Sequence, residues 1–403
     1  MRQFLARHGD SLFAHASVQL GARAYTAASQ LAAFALVGFL GSDTLVSVYA
    51  LSMAAAGLVA TAVDLGSGLW IVQRIAAGGD LPRLLVPRLV GIAFCALALL
   101  AVSEAGVVPL STTPWILITG FVVGSSSLWR GVLWARLRYG SEAGAAVLQA
   151  TALAVGLALA LFLGWTAAAA PMVVASFAYG LGYLARVRMA RGLVNRENAF
   201  MGLSSWVKHV YSYAGQALVV SAQTQADLLL LGALWAGPTA GVAAYGLAMR
   251  FYYSIGMPFE SLGAAILPRV AMHEAIAWKR VLKVALPAGV LGVAAMLLLT
   301  SAGTLFGVSR EASEYLHYLG LLLALALPFR FASYILGAIV TGSGKQSARF
   351  RAATVGLTTM LVLDLWLIPI EGPYGAAVAL ILADIVLMSG YAWATRKAFR
   401  SAV

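Results

Sequence analysis

The sequence predicts an all-α polytopic membrane protein with about twelve transmembrane helices. Of its 403 residues, 61% are hydrophobic and only 10% are charged, and the mean hydropathy is +0.87. Soluble proteins average about 25% charged residues, so this composition suits lipid. Because a span takes about 20 apolar residues, the spans are placed near residues 14–40, 45–72, 88–109, 114–134, 143–163, 167–186, 209–234, 239–266, 283–305, 315–340, 350–370 and 374–395.

The distribution of positive charge predicts the topology. With both termini cytoplasmic, 23 of the 27 Lys and Arg residues fall in inner segments, and the outer loops hold only Arg310. This is the positive-inside rule, and it accounts for the net charge of +12 without a nucleic-acid partner. The spans use nearly all of the length, so no soluble catalytic domain is expected. A single cysteine, Cys95, excludes an internal disulfide.

The first predicted helix carries a polar stripe. After a lead-in of 13 residues, its polar side chains recur at i, i+4, i+7 and i+11, which places them on one helix face. Hydrocarbon cannot satisfy such a face, so we expect it to line an aqueous cavity. The stripe consists of Gln19, Arg23, Thr26 and Gln30.

The seventh predicted helix repeats this stripe 197 residues later, with Val220 in place of the arginine. An offset of about 196 also relates Tyr245 in the eighth helix to Tyr49 in the second. A repeat with an even number of spans predicts two six-helix lobes, residues 1–195 and 196–403, related by an axis along the membrane normal. The hydrophilic stretch from Arg186 to Lys208 is expected to link them. The repeated polar residues are Gln216, Gln223 and Asp227.

Eight ionisable residues remain within the predicted spans, where each costs about 2.5–3.5 kcal/mol at a helix centre. Asp64 and Glu260 could pair with arginines on the inner side, and Asp364 is expected to have an interfacial or capping role. Arg250 precedes Phe251, Tyr252 and Tyr253, a pattern that fits core packing or a site with a cation for phosphate and rings for sugar. The eight are Arg23, Asp64, Asp227, Arg250, Glu260, Arg330, Asp364 and Asp384.

No motif for enzyme chemistry is found. The five histidines have no metal-ligand spacing. The turn at Thr341–Lys345 lacks the pattern of a phosphate-binding loop. We therefore expect no enzyme activity, no metal and no cofactor, apart from a coupling H⁺ or Na⁺.

Three groups of residues resemble a known transporter family. Asp64-Leu65-Gly66 with Arg74 resembles its second helix, and Gly344-Lys345 with Asp364, Leu367-Ile368-Pro369 and Tyr374-Gly375 resembles its last two helices. Asp227, Leu231-Gly232, Tyr245, Arg250, Pro258 and Leu267-Pro268-Arg269 resemble its helices 7 and 8. The family is the multidrug/oligosaccharidyl-lipid/polysaccharide (MOP) exporter superfamily. Twelve helices fit its O-antigen-type (Wzx-like) polysaccharide flippases better than its lipid II flippases.

The resemblance implies a MOP-type fold in the bacterial cytoplasmic (inner) membrane. It implies that the chain flips an undecaprenyl-diphosphate-linked oligosaccharide, a unit of O-antigen or lipopolysaccharide, to the outer leaflet by alternating access. Arg23, Arg250 and Arg330 would meet the diphosphate, and the two polar stripes with Tyr252 and Tyr253 would line its path. Asp64, Asp227, Glu260 and Asp384 would pair with the arginines or carry the coupling ion. Outward movement of two negative charges gains about 4–5 kcal/mol at 100 mV.

Two other functions stay open on the sequence. A cation-coupled multidrug exporter of the same superfamily would have an acidic cavity, and the spans hold five acids against three arginines. A membrane polysaccharide polymerase or ligase would need a catalytic outer loop, which is not found. Other polysaccharide assembly proteins are further candidate partners, and the oligomeric state is open.

Overall fold

The computed structural model describes residues 2–76, 80–83, 85–136, 138–193, 196–200, 203–271, 278–343 and 345–400. In these ranges the chain forms thirteen α-helices, two 3₁₀ helices and two short strands. The predicted all-α class is thus confirmed. Contacts divide the chain into two compact units, which are described separately. Unit 1 is Met1–Leu40 with Leu51–Ser221, and unit 2 is Gly41–Ala50 with Ala222–Val403.

The elements up to residue 234 include those of unit 1. Helix α1 begins at Arg2, so the residues expected as a lead-in belong to the first helix. The elements are α1 (Arg2–Leu40), α2 (Asp43–Asp64), α3 (Ser67–Ala76), β1 (Leu81–Arg83), α4 (Leu85–Glu104), a 3₁₀ helix (Leu110–Thr112), α5 (Thr113–Ala135), α6 (Tyr139–Phe162), α7 (Ala170–Ala190), β2 (Arg196–Phe200) and α8 (Leu203–Leu234).

The remaining helices belong to unit 2. Helix α9 runs without a break, although its predicted counterpart in the repeat, the second helix, is interrupted. The elements are α9 (Thr239–Ala271), α10 (Trp278–Ser301), a 3₁₀ helix (Gly303–Phe306), α11 (Arg310–Gly342), α12 (Gln346–Glu371) and α13 (Pro373–Arg400).

The helices are suited to lipid. Eight helices of the described ranges are long and apolar enough to cross a membrane, and parts of α4 and α10 form shorter apolar helices. Large apolar side chains also cover the outside of the units, as at Phe94, Phe162 and Leu298. An exterior of this kind would be a liability in water but is expected in a bilayer. The chain is therefore a multi-pass membrane protein.

The second predicted helix is broken into α2 and α3. Leu65 and Gly66 both have positive φ angles, of 43° and 73°, which end α2. The side chain of Asp64 stabilises the first turn of α3. Its Oδ1 atom accepts hydrogen bonds from Gly68 N at 3.0 Å and from Ser67 Oγ at 2.8 Å. A Cβ atom at Gly66 would lie 2.6 Å from the Tyr213 backbone, so glycine is required there.

Unit 1 packs closely around α5. Trp70 and Ile71 of α3 form a buried cluster with Trp129 and Val132 of α5. A Cβ atom at Gly131 would lie 2.6 Å from the Gly68 carbonyl oxygen, so the two helices approach at their glycines. Small residues allow this close approach of membrane helices.

The segment expected to be a hydrophilic linker contains helical and strand residues. Helix α7 extends to Ala190, and β2 pairs in parallel with β1, with Leu81 opposite Arg196. The boundary at 195/196 and the two-lobe repeat stay predictions.

Unit 2 is built on α9 and α11. Helix α11 packs against α9, α10 and α13, and α12 packs against α13. Tyr245, Phe251 and Tyr252 of α9 are fully buried. The ring of Phe259 stacks on Phe331 with 3.6 Å between centroids. These contacts fix the relative positions of α9, α11 and α13, which carry the site described next.

Candidate functional site

Unit 2 contains a buried ion pair between α11 and α13. Arg330 Nη1 lies 3.1 Å from Asp384 Oδ1, and the two residues are only 7% and 2% exposed. Tyr252 of α9 donates a hydrogen bond to the other carboxylate oxygen of Asp384. A carboxylate in the membrane is thus held by one cation and one hydroxyl, which offsets its desolvation.

Two further tyrosines surround the guanidinium of Arg330. Its Cζ atom lies 5.5 Å from the ring centroid of Tyr253 and 5.2 Å from that of Tyr334, within the range of cation–π attraction. Arg330 Nε also donates to Tyr334 Oη at 3.3 Å. Among the described residues, Nη2 has no hydrogen-bond partner. We call Tyr252, Tyr253, Arg330, Tyr334 and Asp384 the arginine–tyrosine cluster.

Gln223 joins this cluster to α8 and α12. Its side-chain amide donates to the Ala353 carbonyl at 3.3 Å, and its own backbone carbonyl lies 3.5 Å from the Tyr253 hydroxyl. Gln223 is buried. Gln223, which was predicted to line the substrate path, therefore already forms a hydrogen bond to helix backbone.

Asp227 and Asp364 form a second buried group in unit 2. The Asp227 carboxylate accepts hydrogen bonds from Tyr245 Oη at 2.6 Å and from Leu228 N at 2.7 Å. Asp364 on α12 is close enough to interact electrostatically with it. Both Asp364 oxygens are buried and have no partner among the described residues. The expected interfacial or capping role of Asp364 is therefore wrong, because the helix turns its carboxylate inward.

The predicted residues of the first stripe belong to unit 1. Arg23, Thr26 and Gln30 are all half-buried on α1. The Thr26 hydroxyl donates to the Ala22 carbonyl at 2.8 Å, so it is satisfied within its own helix. The side chain of Gln19 lies outside the described residues.

The other predicted residues are divided between the units. Gln216 is half-buried in the part of α8 that belongs to unit 1, whereas Arg250 is half-buried on α9 in unit 2. The side chain of Glu260 lies outside the described residues. The structure thus brings Arg330, Asp384, Tyr252 and Tyr253 together in unit 2, and the convergence of the three arginines on one cavity stays a prediction.

Asp64 has a structural role at the break between α2 and α3. Besides its two bonds to α3, its Oδ1 atom accepts a hydrogen bond from Ser127 Oγ of α5. Among the described residues it forms no ion pair. Three neutral donors from α3 and α5 hold its Oδ1 atom, and the pairing of Asp64 with an inner arginine stays a prediction.

A buried ion network in unit 1 was not predicted. Arg186 of α7 binds Glu142 of α6 with both Nε (2.9 Å) and Nη2 (3.1 Å), and its Nη1 donates to Gln149 at 2.9 Å. Arg130 Nε lies 3.2 Å from the same glutamate. Both Arg186 and Arg130 counted as inner charges in the sequence, and only the placement of the helix ends reveals the burial of Arg186.

The comparisons with known proteins agree at the level of fold. No protein-family model matches the sequence, and no curated protein matches it. Among solved structures, the lipid II flippase MurJ in an inward closed conformation aligns with a TM-score of 0.67 at 13% identity, covering 95% of this chain and 87% of that chain. The chain has the MOP-type transporter fold.

MATE transporters of the MOP superfamily align as well. A mutant of the transporter VcmN from Vibrio cholerae aligns with a TM-score of 0.64 at 16% identity, covering 98% of both chains. An inward-facing multidrug resistance MATE transporter aligns with a TM-score of 0.62 at 15% identity, covering 95% of this chain and 98% of that one. The predicted MOP-type fold is confirmed, and the O-antigen subtype stays a prediction.

Proposed function

We propose that this MOP-type chain flips an undecaprenyl-diphosphate-linked oligosaccharide from the cytoplasmic to the outer leaflet of the bacterial inner membrane by alternating access. The observation that carries the proposal is the arginine–tyrosine cluster. It combines a guanidinium for phosphate oxygens with aromatic faces for sugar rings, inside a membrane protein. Transporters that include a lipid II flippase share the fold, and transport rather than catalysis is the activity proposed.

Arg330 can exchange its partner. A guanidinium forms two parallel hydrogen bonds to a phosphate, and such charge-assisted pairs are the strong ones. In the structure Arg330 forms one short contact to Asp384 and one to Tyr334. A diphosphate would therefore replace Asp384 at Arg330, while Tyr252 keeps its hydrogen bond to the carboxylate.

The pair Asp227 and Asp364 is proposed to take the coupling H⁺ or Na⁺. Two buried carboxylates that interact with each other require a proton or a cation to offset their repulsion. The hydrogen bond from the Tyr245 hydroxyl already offsets part of the cost of burying the Asp227 carboxylate. Asp364 has no such donor in the described part of the chain, so it is the acid that would bind the ion.

The remaining predicted residues are proposed to line the path of the head group. They are Gln19, Arg23, Thr26, Gln30, Gln216 and Arg250. Gln223 would help to hold Tyr253 in position. Cytoplasmic termini and an inner-membrane location are part of the same proposal, since the positive charges of the sequence favour them.

The test uses purified full-length protein in proteoliposomes with a fluorescent lipid-diphosphate oligosaccharide. The fraction that crosses the bilayer is followed by quenching from outside. We expect Arg330→Gln to reduce the flipping rate at least tenfold, and Arg310→Gln, which removes an exposed charge of the same sign, to leave it unchanged. Equal rates for the wild type and Arg330→Gln would overturn the proposal.

A cation-coupled multidrug exporter is the second candidate. The acidic pair Asp227 and Asp364 favours it, because an acidic site can bind a cationic drug directly. The same proteoliposomes discriminate between the two functions when they are loaded with a cationic dye. Efflux of the dye that is lost in Asp364→Asn, together with no movement of the lipid-diphosphate, would favour the drug exporter.

A further inference from the structure

Arg88 lies in the first turn of α4, in unit 1, and the transport proposal makes no use of it. Its Nε and Nη2 atoms are both buried, and neither has a hydrogen-bond partner among the residues that the structure describes. Buried guanidinium N–H groups without a hydrogen-bonded acceptor are costly. Native proteins rarely keep such groups without a bound ion, water or ligand.

The two unpaired atoms are the edge of the guanidinium that binds two oxygens at once. Arg186, in the same unit, shows this edge in use, since its Nε and Nη2 bind the two oxygens of Glu142 at 2.9 and 3.1 Å. In Arg88 the same edge has no protein acceptor in the described ranges. It therefore fits an anion that offers two oxygens, such as a phosphate.

The surroundings of Arg88 favour an anion that arrives from the membrane. Leu89 and Val90 follow it directly and are 53% and 47% exposed, so this turn of α4 faces lipid. Phe94, one turn further, is exposed as well. An occupant with an acyl chain beside α4 and a phosphate at Arg88 matches both the apolar face and the buried donors.

The protein side of the site is held rigidly. A side chain at Gly91 would collide with the Ala62 carbonyl, so α4 lies directly against the end of α2. Asp64 and the Tyr183 hydroxyl are close enough to Arg88 to interact electrostatically. Asp64 forms no ion pair with Arg88 in the described part of the chain, because Ser67, Gly68 and Ser127 hold its Oδ1 atom.

We propose that Arg88 binds the phosphate of an anionic membrane lipid. The lipid would sit beside α4 with its acyl chains along Leu89 and Phe94 and its phosphate on Nε and Nη2 of Arg88. Tyr183 can add a third hydrogen bond from its hydroxyl. This lipid is distinct from the transported substrate, so the proposal does not depend on which substrate the chain carries.

The test measures the binding of phosphatidylglycerol to delipidated full-length protein in detergent, by native mass spectrometry and by the shift in Tm. We expect Arg88→Gln to weaken the affinity about tenfold or more, which corresponds to the loss of a charge-assisted pair. Arg88→Lys should restore part of it, because lysine keeps the charge without the planar edge. Arg191→Gln, which removes an exposed charge at the end of α7, is the matched control and should change the affinity less than twofold.

Two further ligands distinguish a lipid phosphate from a soluble anion. Diacylglycerol, which lacks a phosphate, should bind without dependence on Arg88. If inorganic phosphate raises the Tm as much as phosphatidylglycerol at equal concentration, the site is for a soluble anion and the lipid proposal fails. Unchanged phosphatidylglycerol affinity in Arg88→Gln also overturns it.

A measurement on the wild type covers the case in which the variants do not fold. Phosphatidylglycerol should slow amide hydrogen exchange in residues 85–104, and diacylglycerol should not. If both lipids protect this helix equally, the phosphate has no role and the proposal is overturned.

Discussion

Arg186 in unit 1 and Arg330 in unit 2 are both buried arginines paired with a carboxylate, at 1% and 7% exposure. Arg186 uses three nitrogens on two acceptors, with both oxygens of Glu142 engaged. Arg330 forms a single nitrogen–oxygen contact of 3.1 Å to Asp384 and rests between tyrosine rings. Each nitrogen of the first arginine has a protein partner, whereas Nη2 of the second has none among the described residues.

Burial and charge alone therefore do not identify a functional arginine in a membrane protein. A ligand that replaced the carboxylate partner of Arg186 would break both of the hydrogen bonds that the guanidinium makes to it. Arg186 is therefore suited to hold α6 and α7 together. A partly satisfied arginine loses one contact and can gain two from a diphosphate. Substitutions at the two arginines and at their partners test this distinction.

The largest effect is expected from Arg186→Met. It leaves Glu142 buried with Arg130 as its remaining cation, and breaking a buried pair costs about 3–5 kcal/mol. We expect the free energy of unfolding, measured by titration with sodium dodecyl sulfate, to fall by about 3 kcal/mol. The flipping rate per folded molecule should not change.

The double variant Arg186→Met with Glu142→Leu is the control for this prediction. Replacing a whole buried pair by apolar residues is often neutral, so stability should return to within about 1 kcal/mol of the wild type. A double variant as unstable as the single one would show that the ion pair is not what stabilises unit 1.

Lysine substitution should separate the two arginines. Arg186→Lys loses the two-oxygen contact to Glu142, and we expect about 2 kcal/mol less stability. Arg330→Lys keeps a positive charge facing Asp384, so the free energy of unfolding should change by less than about 1 kcal/mol. The flipping rate should nevertheless fall about tenfold, because lysine lacks the planar guanidinium that binds two oxygens of a diphosphate. Flipping that survives Arg330→Lys would place Arg330 with Arg186 as a structural residue.

Removing a single supporting group should have a smaller effect. Tyr252→Phe removes a hydroxyl bound to a buried carboxylate, and the free energy of unfolding should fall by about 1–2 kcal/mol. Gln149→Leu removes a neutral acceptor from Arg186, and we expect about 1 kcal/mol. Tyr318→Phe, which removes an exposed hydroxyl, is the control and should give no measurable change.

The smallest effect is expected at the edge of the unit 1 network. The Arg130 side chain is 39% exposed and forms one contact of 3.2 Å to Glu142. Arg130→Gln should therefore lower the free energy of unfolding by less than about 0.5 kcal/mol after solvent screening. A loss as large as that of Arg186→Met would contradict the view that Arg186 is the main cation that stabilises buried Glu142.

The helical fold was readable from the sequence because it depends on local composition. Long apolar runs with charged ends require helices in lipid, since each backbone group must be satisfied within its own segment. The cost of a buried charge likewise marked Arg330 and Asp384 as interior residues. Their partnership was not readable, because they are 54 positions apart and only the packing of α11 on α13 joins them.

The errors have physical causes as well. Hydropathy placed the spans at 143–163 and 167–186, so Glu142 and Arg186 fell at or beyond the ends and were counted as loop charges. The interfacial or capping role of Asp364 was predicted from its distance to the end of its apolar run. That distance carries no information about which face of α12 is buried. The break after Asp64 contains no proline, and the close approach of Gly66 to the Tyr213 backbone is a tertiary contact that no local pattern shows.

The Arg186–Glu142 pair also bears on how the protein enters the membrane during synthesis. Glu142 lies in the first turn of α6 and Arg186 lies near the end of α7. The ion pair therefore joins the two ends of a helical hairpin that consists of two consecutive spans. Inserted one at a time, each helix would carry an uncompensated charge near one of its ends. Inserted together, the hairpin is neutral at this point, which favours joint release of the two spans from the translocon.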